Sequence, residues 1–151
     1  MSIAKGFVVR QLRASDRDYL TRTMLYSHFA LSAHAKTCNR DSFFTGHNKI
    51  INSLLDHCET LIIADPEDSD LIYSFIIYEQ SLGEFDVIHY AHTRKDFRKL
   101  GLLKNLAEVI KTRESLAISH CNEEIRPARL KQYYKKVIVD HYLVMNIKGK
   151  K

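Results

Sequence analysis

The sequence predicts a mixed α+β domain in which helices flank a central sheet. Its hydrophobic residues change repeatedly between the two-residue period of a strand and the 3.6-residue period of a helix. Three strand-like segments follow one another through short turns in the middle of the chain, which predicts an antiparallel meander. The next strand-like segment comes after a helical one, and a strand–helix–strand step predicts a parallel strand pair.

The N-terminal part should contain one strand and two helices. Alternation predicts a strand over residues 6–12. Ser15 suits the N-cap of the first helix, whose apolar residues recur at helical spacing. The second helix should begin at Asp41 or Ser42 and end near residue 58, since its apolar residues keep the same spacing.

The central part should form the meander. Residues 60–65, 71–79 and 85–93 are rich in β-branched and aromatic side chains and predict three strands. The segments between them, 65–70 and 81–84, carry the Pro, Gly and acidic residues that are typical of turns.

The C-terminal part should alternate between helix and strand. The predictions in chain order are a helix over 103–114, a short buried strand over 116–119, a helix over 128–136 that Pro127 opens, a strand over 137–147 and a disordered tail over 148–151.

The composition is that of one ordinary globular domain, which we expect to span residues 1–151. Hydrophobic residues make up 45% and charged residues 27% of the chain, which excludes general disorder. No apolar run approaches the roughly 20 residues that a membrane span requires. The three cysteines form no Cys-x-x-Cys pair, so neither a disulfide framework nor a structural zinc site is expected, and a reducing, cytoplasmic setting follows.

Positive charge is concentrated where a strand leads into a helix. The net charge is +5, and the cations gather in residues 94–104 and 126–136. The first amide groups of a helix point at one place with the positive end of the helix dipole behind them. Gly101 allows the backbone to approach a ligand closely. These features predict a phosphate or pyrophosphate site at residues 98–103.

The same segment resembles the pyrophosphate loop of the GNAT acyltransferase superfamily. Arg98-Lys-Leu-Gly101-Leu-Leu is similar to that family's Gln/Arg-x-x-Gly-x-Gly/Ala motif, and Asp96-Phe97 is similar to the acidic–aromatic pair that precedes it. The predicted order of elements also agrees along nearly the whole chain. The sequence of residues 97–101, Phe-Arg-Lys-Leu-Gly, also resembles that of phage-encoded members of this superfamily. The resemblance implies a GNAT-like fold with one splayed parallel strand pair, and acetyl-CoA as the cofactor.

The resemblance also implies which residues hold acetyl-CoA. The backbone of residues 99–103 would bind the pyrophosphate, and residues 91–93 would pair with the pantetheine arm as a strand does. The cofactor-binding residues so implied are Ala91, His92, Thr93, Arg98, Lys99, Leu100, Gly101, Leu102 and Leu103. Leu103 departs from the family pattern, which has Gly or Ala there.

Catalytic residues follow from a second match and from chemistry. Residues 130–138 resemble the family's Leu-Tyr-x-x-x-Gly-Phe helix end, although Val137 replaces its Gly, and this implies Tyr133 as the acid that protonates the departing thiolate. Asp86 or a bound water is the candidate base, with Glu79, Glu84 and His89 as alternatives. Strict alternation would place residues 86, 88, 90 and 92 on one face of their strand.

The predicted function is therefore transfer of an acetyl group from acetyl-CoA to a primary amine. Two alternatives stay open: a GNAT-shaped protein without catalysis, and a nucleic-acid-binding protein that uses the cations and tyrosines of residues 126–136. The acceptor amine is not specified by residues 29–46, which should form its wall. A homodimer is compatible with the sequence.

No metal site is expected, because the eight histidines lack His-x-x-x-His spacing. Ser119 and Cys121 suggest no covalent nucleophile.

Overall fold

A computed structural model describes residues 6–31, 35–120, 127–140 and 143 of the chain. It contains a six-stranded sheet whose strands lie side by side in chain order. The elements are β1 (Val8–Gln11), α1 (Arg17–Leu31), α2 (Arg40–His57), β2 (Glu59–Ala64), β3 (Ile72–Leu82), β4 (Phe85–Thr93), α3 (Leu102–Ile110), β5 (Ser115–Ile118), α4 (Pro127–Leu130) and β6 (Lys136–Val139). Short 3₁₀ turns cover Ala14–Asp16, Ala35–Thr37 and Lys95–Leu100.

The sheet has the predicted mixture of strand directions. Strands β1 to β4 pair antiparallel in sequence order, which confirms the meander. Strand β5 pairs parallel to β4 across the α3 connection, as predicted. Strand β6 also pairs parallel to β5, which adds a second parallel pair that the sequence did not indicate.

Two helix starts differ from the prediction because other side chains cap them. The first helix is preceded by a 3₁₀ turn that contains Ser15, and the Oδ2 atom of Asp16 accepts the backbone N–H of Arg13 at the start of that turn, at 2.7 Å. The second helix begins after Asn39, whose Oδ1 accepts the N–H of Ser42 at 3.1 Å.

The C-terminal helix is much shorter than predicted. Helix α4 ends at Leu130, and the chain turns at residues 131–133 instead of continuing to 136. The N–H of Lys135 donates to the carbonyl of Glu114 at 2.8 Å. This bond places the chain beside β5, where it forms the edge strand β6. The predicted strand is confirmed only over β6, and its end and the predicted tail, residues 144–151, lie outside the described residues.

Two apolar cores lie on opposite faces of the sheet. One contains the buried residues of α3 and α4 with the inner side chains of the strands, and the other contains those of α1 and α2. The helices on each face therefore exclude water from the sheet, and removal of this apolar surface from water is the main favourable contribution to folding.

A β-bulge interrupts the alternation of β4. The pairing with β3 shifts by one between Ile88 and Tyr90, so His89 is an extra residue in β4. Ile88 and Ala91 consequently pack in the α3-side core, whereas Tyr90 packs in the α1-side core. The expectation of strict alternation along this strand is wrong at the bulge.

A buried ion pair joins the first strand to the first helix. The guanidinium of Arg10 binds both carboxylate oxygens of Asp16, at 2.7 and 2.8 Å, and also donates to the carbonyl of Ser69. Asp16 is only 3% exposed. Burial alone would raise the pKa of Asp16, but its hydrogen bonds and the nearby charges of Arg10 and Arg13 outweigh burial and lower that pKa.

We expect Asp16→Asn to lower the free energy of unfolding by about 3 kcal/mol at neutral pH, because it leaves the buried Arg10 without its counter-charge. Since the folded-state pKa of Asp16 is lowered, its contribution is complete above the ordinary value of 3.8 and is lost as the pH falls through the folded-state value. Urea unfolding of both proteins at several pH values measures this. The control is Asp56→Asn, which breaks an ion pair with Arg17 whose carboxylate is 54% exposed and should cost less than about 1 kcal/mol. Equal losses in the two variants would contradict the assignment.

Candidate functional site

The parallel strands β4 and β5 separate at one end. Their pairing covers Phe85–Ile88 and Ser115–Ile118, and its last bond runs from the N–H of Ser119 to the carbonyl of Ile88 at 3.1 Å. Strand β4 continues beyond this point to Thr93. The sheet is therefore notched here, at the carboxyl ends of two parallel strands.

The basic segment folds into a 3₁₀ turn, a glycine corner and helix α3. Gly101 has φ of 73° and ψ of 20°, the left-handed conformation that residues with a side chain seldom adopt. The helical hydrogen bonds of α3 begin with the N–H of Asn105 donating to the carbonyl of Gly101 at 3.0 Å. The amide groups of residues 102–104 precede that first bond, so the positive end of the helix dipole lies at this corner.

A cavity of about 360 Å³ joins this corner to the turn after α4. The lining residues are Thr93, Arg98, Gly101, Leu103, Lys104, Ala107, Arg129, Leu130, Gln132 and Tyr133. The cavity therefore brings together the predicted anion loop and the predicted acid, which are about 30 residues apart in the chain. Three cations line it, and no carboxylate does among the described residues.

The predicted cofactor residues fall into two groups in the structure. Four of them line the cavity: Thr93, Arg98, Gly101 and Leu103. The Nε atom of Arg98 donates to the carbonyl of Thr93 at 3.0 Å, which ties the loop to the end of β4.

The side chains of the other predicted cofactor residues lie elsewhere. Lys99 and Leu100 are exposed on the 3₁₀ turn. Leu102 and Ala91 are buried in the α3-side core. The ring of His92 packs at 5.7 Å from that of Phe75, a residue of the α1-side core. None of these residues lines the cavity.

Tyr133 lies on the wall of the cavity and Tyr134 does not. The turn positions Tyr133 by a hydrogen bond from its N–H to the carbonyl of Leu130 at 3.0 Å. Tyr134 is 2% exposed and packs in the α3-side core. Burial and the nearby carboxylate of Asp86 raise the pKa of Tyr134 above its ordinary value. Of the two tyrosines, Tyr133 is therefore the one placed to meet a ligand.

Asp86 does not line the cavity, and its predicted role as a base stays a prediction. It is 1% exposed at the start of β4, seven strand residues or roughly 23 Å before Thr93, the residue of β4 that lines the cavity. Its carboxylate accepts the N–H groups of Thr112 and Arg113 at 2.6 and 2.9 Å, and also the hydroxyl of Thr112. Asp86 therefore fixes the loop between α3 and β5.

A buried chain of polar groups crosses the point where the strands separate. The Nε2 atom of His89 lies 2.8 Å from a carboxylate oxygen of Glu79, and its Nδ1 lies 2.7 Å from the hydroxyl of Ser119. The same hydroxyl lies 2.9 Å from the Nδ1 of His120. The sequence indicated Glu79 and His89 as alternative bases, but it did not predict their contact with Ser119 and His120, because that contact depends on the bulge at His89.

His120 also belongs to a histidine cluster on the α1 side of the sheet. The possible ligand nitrogens of His28, His47 and His120 lie within 4.8 Å of one another. The expectation of no metal site rested on spacing along the chain, and these three residues are far apart in sequence. Cys58, Glu79 and His89 form a second group, whose possible ligand atoms also lie within 4.8 Å of one another. The folded chain thus contains groupings that the spacing argument excluded.

We expect Asp86→Asn to lower the free energy of unfolding by about 2 kcal/mol, because the loop loses a charged acceptor of three hydrogen bonds. Urea unfolding measures the change. The matched control is Glu108→Gln on the exposed side of α3, which should stay within about 0.5 kcal/mol of the parent. An unchanged midpoint in Asp86→Asn would show that the carboxylate does not hold the loop.

None of the helices in the described parts of the chain has the length and apolar character to cross a membrane. No protein-family model and no curated protein matches the sequence.

Solved acetyltransferases are similar to this chain. A possible acetyltransferase from Clostridium difficile 630 has a TM-score of 0.50 and 14% identity over 90% of this chain and 80% of that one. A GNAT-family acetyltransferase from Staphylococcus aureus Mu50 has a TM-score of 0.46 and 13% identity, over 69% and 62% of the two chains. An aminoglycoside N-acetyltransferase in complex with CoA has a TM-score of 0.43 and 11% identity, over 99% and 87%. With its antiparallel meander and its parallel β4–β5 pair, this chain has the fold of the GNAT acetyltransferases.

Proposed function

We propose that this protein is a cytoplasmic, single-domain N-acetyltransferase that transfers an acetyl group from acetyl-CoA to a primary amine. One observation carries the proposal: a single cavity contains the anion-binding corner of α3, three cations and the tyrosine that the sequence indicates as the acid. The GNAT-like fold supports it, because the cavity lies beside Thr93, at the end of β4 that extends beyond its pairing with β5.

The cavity has the donors that acetyl-CoA requires. Arg98, Lys104 and Arg129 supply positive charge for the cofactor's phosphates. The first amides of α3 supply backbone donors for the pyrophosphate. A Cβ atom added at Gly101 would meet nothing within 4 Å, so the corner has open space in front of it. Leu103, where the family motif has a small residue, contributes to the wall without closing the cavity.

The residues of the site divide the work of an acyl transfer. Bound acetyl-CoA would supply the activated acetyl group. The end of β4 would orient that group, since Thr93 lies on the cavity wall and is tied to the loop by Arg98. Tyr133 would hold a proton for the departing thiolate, because a phenol is a competent acid toward an alkyl thiolate. Since no carboxylate lines the described cavity, the proton of the attacking amine would pass to a bound water.

The acceptor would approach from the opposite face of the sheet. An open depression of about 640 Å³ runs along α1 and meets β4 at His92. Asp18 and the tyrosines 19 and 26 are among the residues that line it. The carboxylate of Asp18 and the ring of Tyr26 would attract a cationic amine, in opposition to the positive charge of Arg22, which also lines the depression.

Binding without turnover is the second candidate function. Three features depart from the pattern of the family that the sequence resembles: no carboxylate among the described residues lines the cavity, Leu103 lies in the loop, and Val137 follows the turn. A binding module and an enzyme would share the cofactor affinity and differ only in acetyl transfer, so both properties must be measured.

The double substitution Arg98→Glu with Arg129→Glu should weaken acetyl-CoA binding about 100-fold, because each reversal removes an attraction to phosphate and adds a repulsion. Isothermal titration calorimetry with acetyl-CoA measures the Kd. The matched control reverses two exposed cations on the α1 side, Lys36→Glu with Lys49→Glu. Its net charge therefore equals that of the cavity variant. Its Kd should stay within about twofold, since distant exposed charges are screened. Equal affinities in the two variants would contradict the assignment of the cavity as the acetyl-CoA site.

Tyr133→Phe should lower kcat about 100-fold and leave the KM for acetyl-CoA nearly unchanged, because the phenol acts on the leaving group and not on binding. Release of free CoA thiol with a panel of primary amines measures turnover. The neighbouring Tyr134→Phe is the control and should keep its kcat, since Tyr134 lies outside the cavity. If the parent protein binds acetyl-CoA but acetylates no amine, the binding module is the better description. If Tyr133→Phe retains full kcat, another group is the acid.

A further inference from the structure

We propose that His28, His47 and His120 bind a divalent transition-metal ion of the zinc class. Helices α1 and α2 supply the first two histidines, and the segment after β5 supplies the third. The cluster lies on the α1 side of the sheet, and none of its members lines the cavity assigned to acetyl-CoA. The proposal therefore does not depend on the proposed function.

The three imidazoles are arranged as the ligands of one ion would be. Their ring centroids are separated by 4.7 Å for His28 and His47, 5.3 Å for His28 and His120, and 5.6 Å for His47 and His120. Three imidazoles on a tetrahedral zinc ion, with Zn–N bonds of about 2.0–2.1 Å, place their centroids roughly 5 Å apart. The centroid spacings therefore agree with one shared ion, and the possible ligand nitrogens, which lie within 4.8 Å of one another, would move closer together when the ion binds.

A second layer of polar groups orients His120. The hydroxyl of Ser119 bridges the Nδ1 atoms of His120 and His89, at 2.9 and 2.7 Å, and Glu79 lies 2.8 Å from the other nitrogen of His89. With Nδ1 engaged by Ser119, Nε2 is the atom of His120 that would coordinate the ion. Metal-bound histidines characteristically have such a partner on the opposite nitrogen, which fixes the tautomer and the ring orientation.

Aromatic packing holds the other side of the cluster. Tyr90 stacks on His120 with centroids 4.3 Å apart, and Phe43 stacks on His47 at 4.4 Å. Packed rings restrict the rotamers of the ligands, which reduces the entropy lost when an ion binds. Three neutral nitrogens in an apolar setting suit Zn²⁺, Cu²⁺ or Ni²⁺, whereas Mg²⁺ and Ca²⁺ prefer oxygen ligands.

A small cavity lies beside one of the three histidines. It has a volume of about 10 Å³, close to the size of one water, and His28 and Tyr90 are among the residues that line it. The buried hydroxyl of Tyr90 has no hydrogen-bond partner among the described residues. Three histidines with one water form a known type of zinc site, so a water would complete the coordination of an ion bound by this cluster.

The second cluster is the weaker candidate. In the group of Cys58, Glu79 and His89, both ring nitrogens of His89 already contact other side chains, the carboxylate of Glu79 and the hydroxyl of Ser119. An ion there would have to displace the Glu79–His89 contact. Cys58→Ser is therefore a useful comparison, because it removes a ligand from the second cluster and none from the first.

Calorimetric titration of the full chain, without a polyhistidine tag and after removal of bound metal by a chelator, tests the proposal with ZnCl₂ and MgCl₂ as probes. We expect one Zn²⁺ per chain, bound at least about 100-fold more tightly than Mg²⁺. His28→Gln, His47→Gln and His120→Gln should each weaken Zn²⁺ binding at least about 100-fold, and Ser119→Ala about tenfold. Cys58→Ser and the exposed His57→Gln should bind as the parent does.

Histidine side-chain NMR of the parent protein gives a second measurement that needs no variant to fold. Zn²⁺ should shift the ring resonances of His28, His47 and His120 together and leave those of His57 unchanged. Affinity for Zn²⁺ no greater than for Mg²⁺ would overturn the proposal. It would also be overturned if Cys58→Ser loses binding while the three histidine variants keep it, or if the three rings do not shift.

Discussion

The rest of the structure depends on the point where β5 stops pairing with β4. Up to Ile88 the two strands share parallel hydrogen bonds, and beyond it β4 continues alone toward Thr93. On the α3 side, Thr93 at this extended end of β4 lines the cavity beside the glycine corner. On the α1 face, the notch in the sheet lets His120 turn toward two helices that come much earlier in the chain. One shortened strand thus creates both candidate sites.

The bulge at His89 supplies polar contacts at the point where β5 stops pairing with β4. Where a parallel ladder ends inside a protein, polar groups must find other partners, since a buried group without one costs free energy. The extra residue turns His89 so that its ring contacts Glu79 on β3 and Ser119 beyond β5. The side chains of the bulge therefore replace backbone pairing at the place where it stops.

Local patterns predicted the features that depend on local chemistry. Period changes predicted the meander, which the strand pairing confirms. The charges around Gly101 predicted a phosphate site, which stays a prediction. Both inferences follow from neighbouring residues. The predicted alternation along β4 fails at His89, because one inserted residue moves the side chains that follow it to the opposite faces. The histidine cluster could not be read from spacing at all, because its three members meet only after the sheet has assembled. The short α4 reflects a contact with Glu114, again from a distant part of the chain.

Helix α3 is fixed by hydrogen bonds at the end that lies away from the cavity. At its far end, Asp86 holds the following loop, and the side chain of Gln80 donates to the carbonyl of Ile110 at 2.9 Å. Its other end carries the corner that faces the cavity. A small tilt at the anchored end would be magnified at the corner, about 13 Å away for nine helical residues. Evolution can therefore adjust the position of the corner by substituting residues that no ligand touches.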